Sequence, residues 1–270
     1  MNLQGKVILI TGASGGIGAA LARLLHQRGA RLTLLARSAD RLQAVAQACD
    51  AVAVAGDVTK PDDRQRAIDA TVERYGRLDV LINNAGVGMY VPAWRADMTE
   101  VRRVWELNLF SVIEMIQLAV PLMRKTGGGK IVNVSSIAGK IALPWFTNYT
   151  ASKFAVCALT DALRIEMKPY GIGCLTVCPG YVKTEFQDNA LAGRPPDRLW
   201  RMKRMAISAE QCAAAVVRGI ERDARTVITP ATGRVLIAVA YFCPPLADYI
   251  LGKIYQGLDL DGLTHPPSGA

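Results

Sequence analysis

Tyr149 and Lys153 stand four residues apart, and Ser136 lies thirteen residues upstream at the end of an apolar, strand-like run. Four residues is slightly more than one helical turn, so in a helix the phenol and the ammonium share a face. A free phenol, with a pKa of about 10, is a poor acid–base catalyst at neutral pH, but a cation held beside it favours the phenolate and lowers that value. Tyr149 is therefore a candidate proton carrier. Taken alone, the pattern fits equally a tyrosine and a lysine on a solvated helix face.

The elements that must position such a pair begin at the amino end. Lys6-Val7-Ile8-Leu9-Ile10 has the pattern of a buried strand and runs into Thr11-Gly12-Ala13-Ser14-Gly15-Gly16-Ile17-Gly18. Ile17, Leu21, Leu24 and Leu25 then recur at helical spacing, and Gly29 stops the helix before a second strand over residues 31–36. A glycine-rich turn between strand and helix lets a pyrophosphate rest against backbone N–H groups with no Cβ in the way, where the helix dipole favours the anion. A tight loop alone would not require the strand before it and the helix after it, so the pattern points to a dinucleotide.

Strand-like runs at 7–10, 32–35, 51–55, 80–82, 131–134 and 174–177 alternate with helical segments, and a seventh near 226–228 would complete a parallel sheet. The expected fold is α/β: a single Rossmann-type, doubly wound parallel sheet of about seven strands with helices on both faces. No linker, repeat or low-complexity stretch divides the 270 residues, so one dinucleotide-binding catalytic domain over 1–270 is expected. Right-handed crossovers would put the nucleotide at the carboxyl edge of the strands.

With both ends in view the chain resembles the classical short-chain dehydrogenase/reductase family. The resemblance rests on Thr11-Gly12-x-x-x-Gly16-x-Gly18, Asp57-Val58 after the third strand, Asn83-Asn84-Ala85-Gly86 after the fourth, Asn108 on the next helix, Ser136 after the fifth, Tyr149-x-x-x-Lys153, and Pro179-Gly180 after the sixth. These motifs span about residues 5–185 in family order and spacing. The resemblance implies that Gly12, Ser14, Gly15, Gly16, Ile17 and Gly18 form the phosphate turn and that Asp57, with the backbone of Val58, meets the adenine. It gives Asn84, Ala85 and Gly86 to the adenosine ribose, and Thr184 to the nicotinamide carboxamide beside Pro179, Gly180 and Val182. Asp57 is alternatively a turn cap, and Asn83 and Asn84 alternatively tie neighbouring strands together.

By the same resemblance Tyr149 moves the proton on a substrate oxygen while a hydride passes between nicotinamide and carbonyl carbon. Ser136 hydrogen-bonds that oxygen. Lys153 lowers the phenol pKa and holds the nicotinamide ribose, and Asn108 anchors a water that completes a proton relay. Ser135 lacks the family spacing to Tyr149 and is expected to be structural. The implied reaction interconverts a carbonyl and a secondary alcohol; a non-catalytic NADPH sensor or scaffold is the alternative, but it would have no need of the complete set Asn108, Ser136, Tyr149 and Lys153.

Cofactor choice is expected where the second strand ends, at Leu34-Leu35-Ala36-Arg37-Ser38. An NAD enzyme usually offers a carboxylate here to the ribose 2′-hydroxyl. This chain has Ala36, followed by Arg37, whose guanidinium can pair bidentately with a 2′-phosphate. Ser14 or Ser38 can add a hydroxyl. NADP(H) is the expected cofactor, the alternative being that Arg37 is an ordinary surface arginine.

Composition sets further bounds. The net charge of +9 is spread along the chain and no nucleic-acid module accompanies it, so no nucleic-acid partner is expected. Six scattered cysteines and only His26 and His265 argue against a metal site. The chain enters its first strand almost at once, which leaves no room for a signal peptide, and a cytoplasmic protein with reduced thiols is expected. Beyond Thr184 a substrate lid is expected over about 185–210, where Trp200, Met202 and Met205 either line an apolar pocket or pack the lid onto the body. Residues 87–94 and 137–146 are expected to add apolar walls.

The tail, an apolar extension over about 234–256, carries thirteen uncharged residues at 235–247. That is short of the roughly 20 a bilayer crossing needs, and Pro244-Pro245 breaks it, so two short helices are expected. They would cover the substrate mouth, seal a homodimer or homotetramer interface, or touch a membrane surface; the sequence leaves all three open. The expected small-molecule partner is an apolar, lipid-like carbonyl or alcohol.

Overall fold

The computed structural model describes residues 1–193 and 206–255. Its centre is a seven-stranded parallel sheet in the order β3-β2-β1-β4-β5-β6-β7. The strands are β1 (Val7–Thr11), β2 (Arg31–Ala36), β3 (Val52–Ala55), β4 (Val80–Asn83), β5 (Gly129–Val134), β6 (Ile172–Pro179) and β7 (Thr226–Thr229). Every strand of the expected pattern is present, with ends shifted by a residue or two.

Two layers of helices cover the sheet because alternate strand residues point to opposite faces. Ile8, Ile10, Leu32 and Leu34 meet Leu21 and Leu25 of α1 (Gly16–Gln27), Leu42 and Val45 of α2 (Ala39–Ala48), and Val216, Val217 and Ile220 of α7 (Ala209–Glu221). Leu9, Leu35, Leu81 and Ile131 face the other way. They meet Ile68 of α3 (Pro61–Tyr75), Met115 and Ile116 of α5 (Ser111–Lys125), and Leu163 of α6 (Thr147–Glu166). Each such side chain, removed from water, contributes about 1.5–3 kcal/mol.

The strand order reverses between β1 and β4, and the connections leaving their carboxyl ends part to opposite faces. This is the crevice in which open α/β sheets bind ligands. Pairing of Ile10 with Ile82 sets the turn after β1 against the residues after β4.

Before α5 lies α4 (Met98–Trp105), and the two are joined by a wider π-turn at Glu106–Phe110. The tail forms α8 (Gly233–Phe242) and α9 (Pro244–Tyr255), with the break at Cys243 just before the two prolines. Of the expected lid, residues 194–205 lie outside the described residues, and with them Trp200, Met202 and Met205. Among the described residues no three His, Cys, Asp or Glu side chains converge as metal ligands.

Candidate active site

The turn after β1 is built so that backbone can approach a ligand. Gly12 has φ 67°, a left-handed conformation costly for other residues, and a Cβ on it would lie 2.8 Å from the Ala85 Cα. A Cβ on Gly18 would lie 2.3 Å from the Gly12 carbonyl oxygen. Helix α1 follows Gly15, its N-cap, with no side-chain cap, so its first N–H groups face the cleft with the positive end of the helix dipole. An uncapped helix start behind glycines that no larger residue could replace fits a cofactor pyrophosphate.

The loop after β4 is tied to this turn by side chains. Thr11 Oγ accepts from the N–H groups of Asn84 (3.0 Å) and Ala85 (3.1 Å), and Asn84 Nδ2 donates to the carbonyls of Thr11 (3.0 Å) and Gly12 (3.1 Å). Asn83 donates to Asn133 of β5 at 2.8 Å, so Asn83 is a strand tie. Asn84 ties the turns and also lines the cleft. Asp57 likewise serves its own turn, Oδ1 accepting from Thr59 N at 3.0 Å and Thr59 Oγ1 at 2.9 Å, while it and Val58 line the cleft.

Ser136 and Tyr149 meet at the carboxyl ends of β5 and β6. Ser136 caps a short 3-10 turn, Ile137–Gly139, accepting from Ala138 N at 3.1 Å, and its hydroxyl lies 3.4 Å from the Pro179 carbonyl. It also stands near enough to the Tyr149 phenol to favour the phenolate. Burial acts more strongly the other way: Tyr149 is 5% exposed, its ring stacked on Phe146 at 4.1 Å and meeting Phe186 edge-on at 5.7 Å. The phenol is held above its ordinary value. Contrary to expectation, Lys153 is not among the groups that shift it. The ammonium stands 5.7 Å from the ring centroid and is itself pushed down to about 8 by burial, with Nζ donating to the Val134 carbonyl at 3.0 Å.

Asn108 sits in the π-turn, wholly buried and behind the cleft wall. Its Oδ1 accepts from Val87 N (2.9 Å), and its Nδ2 donates to Val87 O (3.0 Å) and Ser152 Oγ (3.0 Å). Ser152 Oγ in turn donates to the Tyr149 carbonyl at 2.7 Å, so Asn108 fixes the first turn of α6 from which Tyr149 projects. A Cβ on Gly86 would lie 3.2 Å from Asn108 Oδ1 and 3.3 Å from Lys153 Nζ, which places the three together. Ser135 donates to the Lys153 carbonyl at 2.9 Å and ties α6 to β5.

One cleft of about 870 Å³ gathers these groups. Gly12, Ser14, Gly15, Gly16, Ile17, Arg37, Ser38, Asp57, Val58, Asn84, Ala85, Gly86, Ser136, Tyr149, Lys153, Pro179, Gly180, Val182 and Thr184 all line it. Gly18 and Asn108 do not: each stands one layer behind and shapes the wall. Tyr90 stacks on Phe146 at 4.2 Å and extends the aromatic wall, whereas Trp94 of the expected wall is 72% exposed.

Two further features complete the cleft: the tail, for which the sequence had offered a cover over the substrate mouth as one of three roles, and an ion pair that sequence reasoning missed. Leu236, Val239, Ala240, Ala247, Ile250 and Leu251 of the tail helices line the same cleft, while Tyr241, Phe242 and Tyr249 face outward. Arg41 and Glu185 also line it and pair across it at 2.6 Å. Arg41 was open to detection as a cation one turn beyond Arg37; nothing local marks Glu185.

A doubly wound sheet with a glycine phosphate turn at its switch point and a Ser-Tyr-Lys group at the neighbouring strand ends defines a dinucleotide-dependent oxidoreductase. The family model for short chain dehydrogenase matches residues 6–195. The chain belongs to the short-chain dehydrogenase/reductase family, whose members bind a nicotinamide cofactor and act on small molecules.

Its relatives include an 11-beta-hydroxysteroid dehydrogenase-like 4A protein of Arabidopsis thaliana, 37% identical over 253 residues, covering 91% of this chain and 83% of the relative. A dehydrogenase/reductase SDR family protein 7-like of Dictyostelium discoideum is 32% identical over 266 residues, covering 93% and 82%. Among solved structures, a Burkholderia phymatum short chain dehydrogenase/reductase in complex with NAD superposes with a TM-score of 0.83 at 26% identity, covering 91% of this chain and 96% of that one. A Burkholderia cenocepacia short chain dehydrogenase in complex with NADP gives 0.79 at 29%, covering 93% and 99%.

Proposed function

We propose that this chain is an NADP(H)-dependent oxidoreductase interconverting a carbonyl and a secondary alcohol on an apolar, lipid-like substrate. The observation that carries the reading is the position of the Tyr149 hydroxyl. It lies beside Ser136 in a cleft whose substrate end is walled by Tyr90, Phe146 and Phe186 and roofed by the tail helices. The relatives named for hydroxysteroids make a steroid-like alcohol or ketone the first substrate class to try.

In this reading the N–H groups at the start of α1 hold the pyrophosphate, Arg37 with Ser38 holds the 2′-phosphate, and Asp57 with Val58 receives the adenine. Asn84, Ala85 and Gly86 receive the adenosine ribose. Thr184, with Pro179, Gly180 and Val182, receives the carboxamide. The nicotinamide, when bound, supplies or accepts the hydride. Tyr149 is protonated at neutral pH because burial raises its phenol. It can therefore give its proton to a carbonyl oxygen as negative charge develops there, with Ser136 donating to the same atom. Such general acid help is worth about 10²–10⁴-fold.

Lys153, lowered to about 8, keeps a readily exchanged proton beside the phenol and can neutralise the phenolate left behind. Asn108 acts as a positioning residue and as an end of the relay. The same reading takes the protein as cytoplasmic and gives the outward face of α8 and α9 either to a membrane surface, as a peripheral contact, or to a second copy in a homodimer or homotetramer. The exposed Tyr241, Phe242 and Tyr249 support such a contact.

The test is steady-state turnover of steroid, medium-chain and small ketones with NADPH and with NADH, in the wild type and in Arg37→Asp. The expected result is an NADPH preference that falls by at least about 10-fold in the variant, as loss of a charge-assisted phosphate contact requires. Equal use of both cofactors, unchanged by the substitution, would overturn the NADP(H) assignment, and preference for small polar ketones would overturn the substrate class.

A further inference from the structure

Arg41 lies in the first turn of α2, four residues beyond Arg37, and both line the cleft. Its guanidinium is held from two sides. Nε donates to Ser38 Oγ at 3.0 Å, and Nη1 pairs with Glu185 Oε2 at 2.6 Å. Glu185 belongs to the opposite rim, directly after Thr184, whose methyl lies 3.1 Å from where a Cβ on Gly16 would stand. The ion pair therefore bridges the cleft between the corner after β2 and the rim after β6, groups 144 residues apart. Both side chains remain more than half exposed, so solvent and solutes reach them.

A carboxylate oxygen on a guanidinium nitrogen at this distance has the geometry a phosphate oxygen takes on the same group. Two arginines and the Ser38 hydroxyl at one corner form a donor set suited to a dianion, and one of the two guanidiniums already carries an internal anion. A 2′-hydroxyl cannot compete with Glu185 for that cation; a 2′-phosphate can. We propose that Arg41 is a second reader of the cofactor's 2′-phosphate and that Glu185 is its internal stand-in, which the phosphate must displace. The inference rests on the NADP(H) reading above and adds to it a competition within the protein. Glu185 then tempers affinity for the phosphorylated cofactor while leaving the unphosphorylated one untouched.

The test is calorimetric binding of adenosine 2′,5′-bisphosphate and of adenosine 5′-monophosphate, which carry the adenosine end with and without the 2′-phosphate. Wild type, Glu185→Gln and Arg41→Met are compared, with melting curves to establish that each is folded. Glu185→Gln is expected to tighten the bisphosphate by about 2–5-fold, the scale of one exposed ion pair, and to leave the monophosphate unchanged. Arg41→Met is expected to weaken the bisphosphate by about 10-fold or more, again with the monophosphate unchanged. A wild type that prefers the bisphosphate, with a preference neither variant moves, overturns this inference and leaves the NADP(H) reading standing. A wild type without preference, unmoved by either variant, overturns both. A preference that appears only in Glu185→Gln supports the stand-in.

Discussion

Lys153 is a buried cation, and its position predicts a signature in stability as well as in catalysis. Its side chain is 3% exposed and its ammonium is lowered from the ordinary 10.5 to about 8, chiefly by burial. At about 1.4 kcal/mol per pH unit, that gap is about 3 kcal/mol of cost for keeping the charge inside the fold. The sign follows from proton counts. Below about pH 8 both folded and unfolded chains are protonated, and the native state bears the full cost. Between about 8 and 10.5 the unfolded chain holds a proton the native chain has released, so stability rises with pH; above that range the two are neutral alike. Replacing Lys153 with Met removes this group from the balance but orphans the Val134 carbonyl, at about 1–3 kcal/mol. At pH 7 the two effects nearly offset, and Lys153→Met should match or slightly exceed the wild type. From pH 8 to 10.5 the wild type should gain on the variant by up to about 3 kcal/mol. Urea unfolding of both proteins at half-unit pH steps measures the difference, in which the other titrating groups cancel. Parallel profiles across that window would refute the claim that the native ammonium is destabilised by burial.

Three further outcomes are expected. Tyr149→Phe should lower turnover by at least about 10²-fold while cofactor affinity, measured by fluorescence titration, stays near wild type, because the ring keeps its stack on Phe146. Gly18→Ala should cost about 1–3 kcal/mol of stability and impair cofactor binding, since the new methyl would press on the Gly12 carbonyl and on an Asn84 amide already bonded to that turn; an unshifted melting curve would contradict it. Deleting the residues after Gly233 should raise KM for large apolar carbonyls by at least about 5-fold, equivalent to roughly 40 Å² of lost apolar contact, with vesicle co-sedimentation and light-scattering mass followed in parallel. A truncated protein unchanged in stability, kinetics, mass and vesicle binding would remove every role offered for the tail.

What the sequence made legible was local. The glycine turn, the Ala36-Arg37 step and the Tyr149-x-x-x-Lys153 spacing are each read within one element, and the strands announce themselves through runs such as Val7–Thr11 that are buried on both faces. What stayed hidden depends on groups brought together from afar. The direction of the Tyr149 shift is set by burial beneath Phe146 and Phe186, and the lysine one turn away in sequence is not among the groups that set it. Glu185 finds Arg41 across 144 residues, and the tail, readable as two apolar helices, carried no mark of which side would meet the cleft. Asn108 was identifiable by its place in the family order, yet its bonds to Val87 and Ser152 required the widened turn in which it sits.

That widened turn divides one long helix between two bodies. Ahead of it, Val101 and Val104 pack with Val87, Met89 and Val91 in a small cluster beside the substrate wall; beyond it, Val112, Met115 and Ile116 pack into the sheet. Widened turns of this kind recur at functional sites and are places where helices kink, and here the turn lets the outer half pack on the wall and the inner half on the sheet. Asn108 is the pivot, clasping Val87 on one side and Ser152, one residue before Lys153, on the other. One amide therefore holds both the start of the substrate wall and, through Ser152, the turn that carries Tyr149 and Lys153, so the two ends of the cleft share a single anchor.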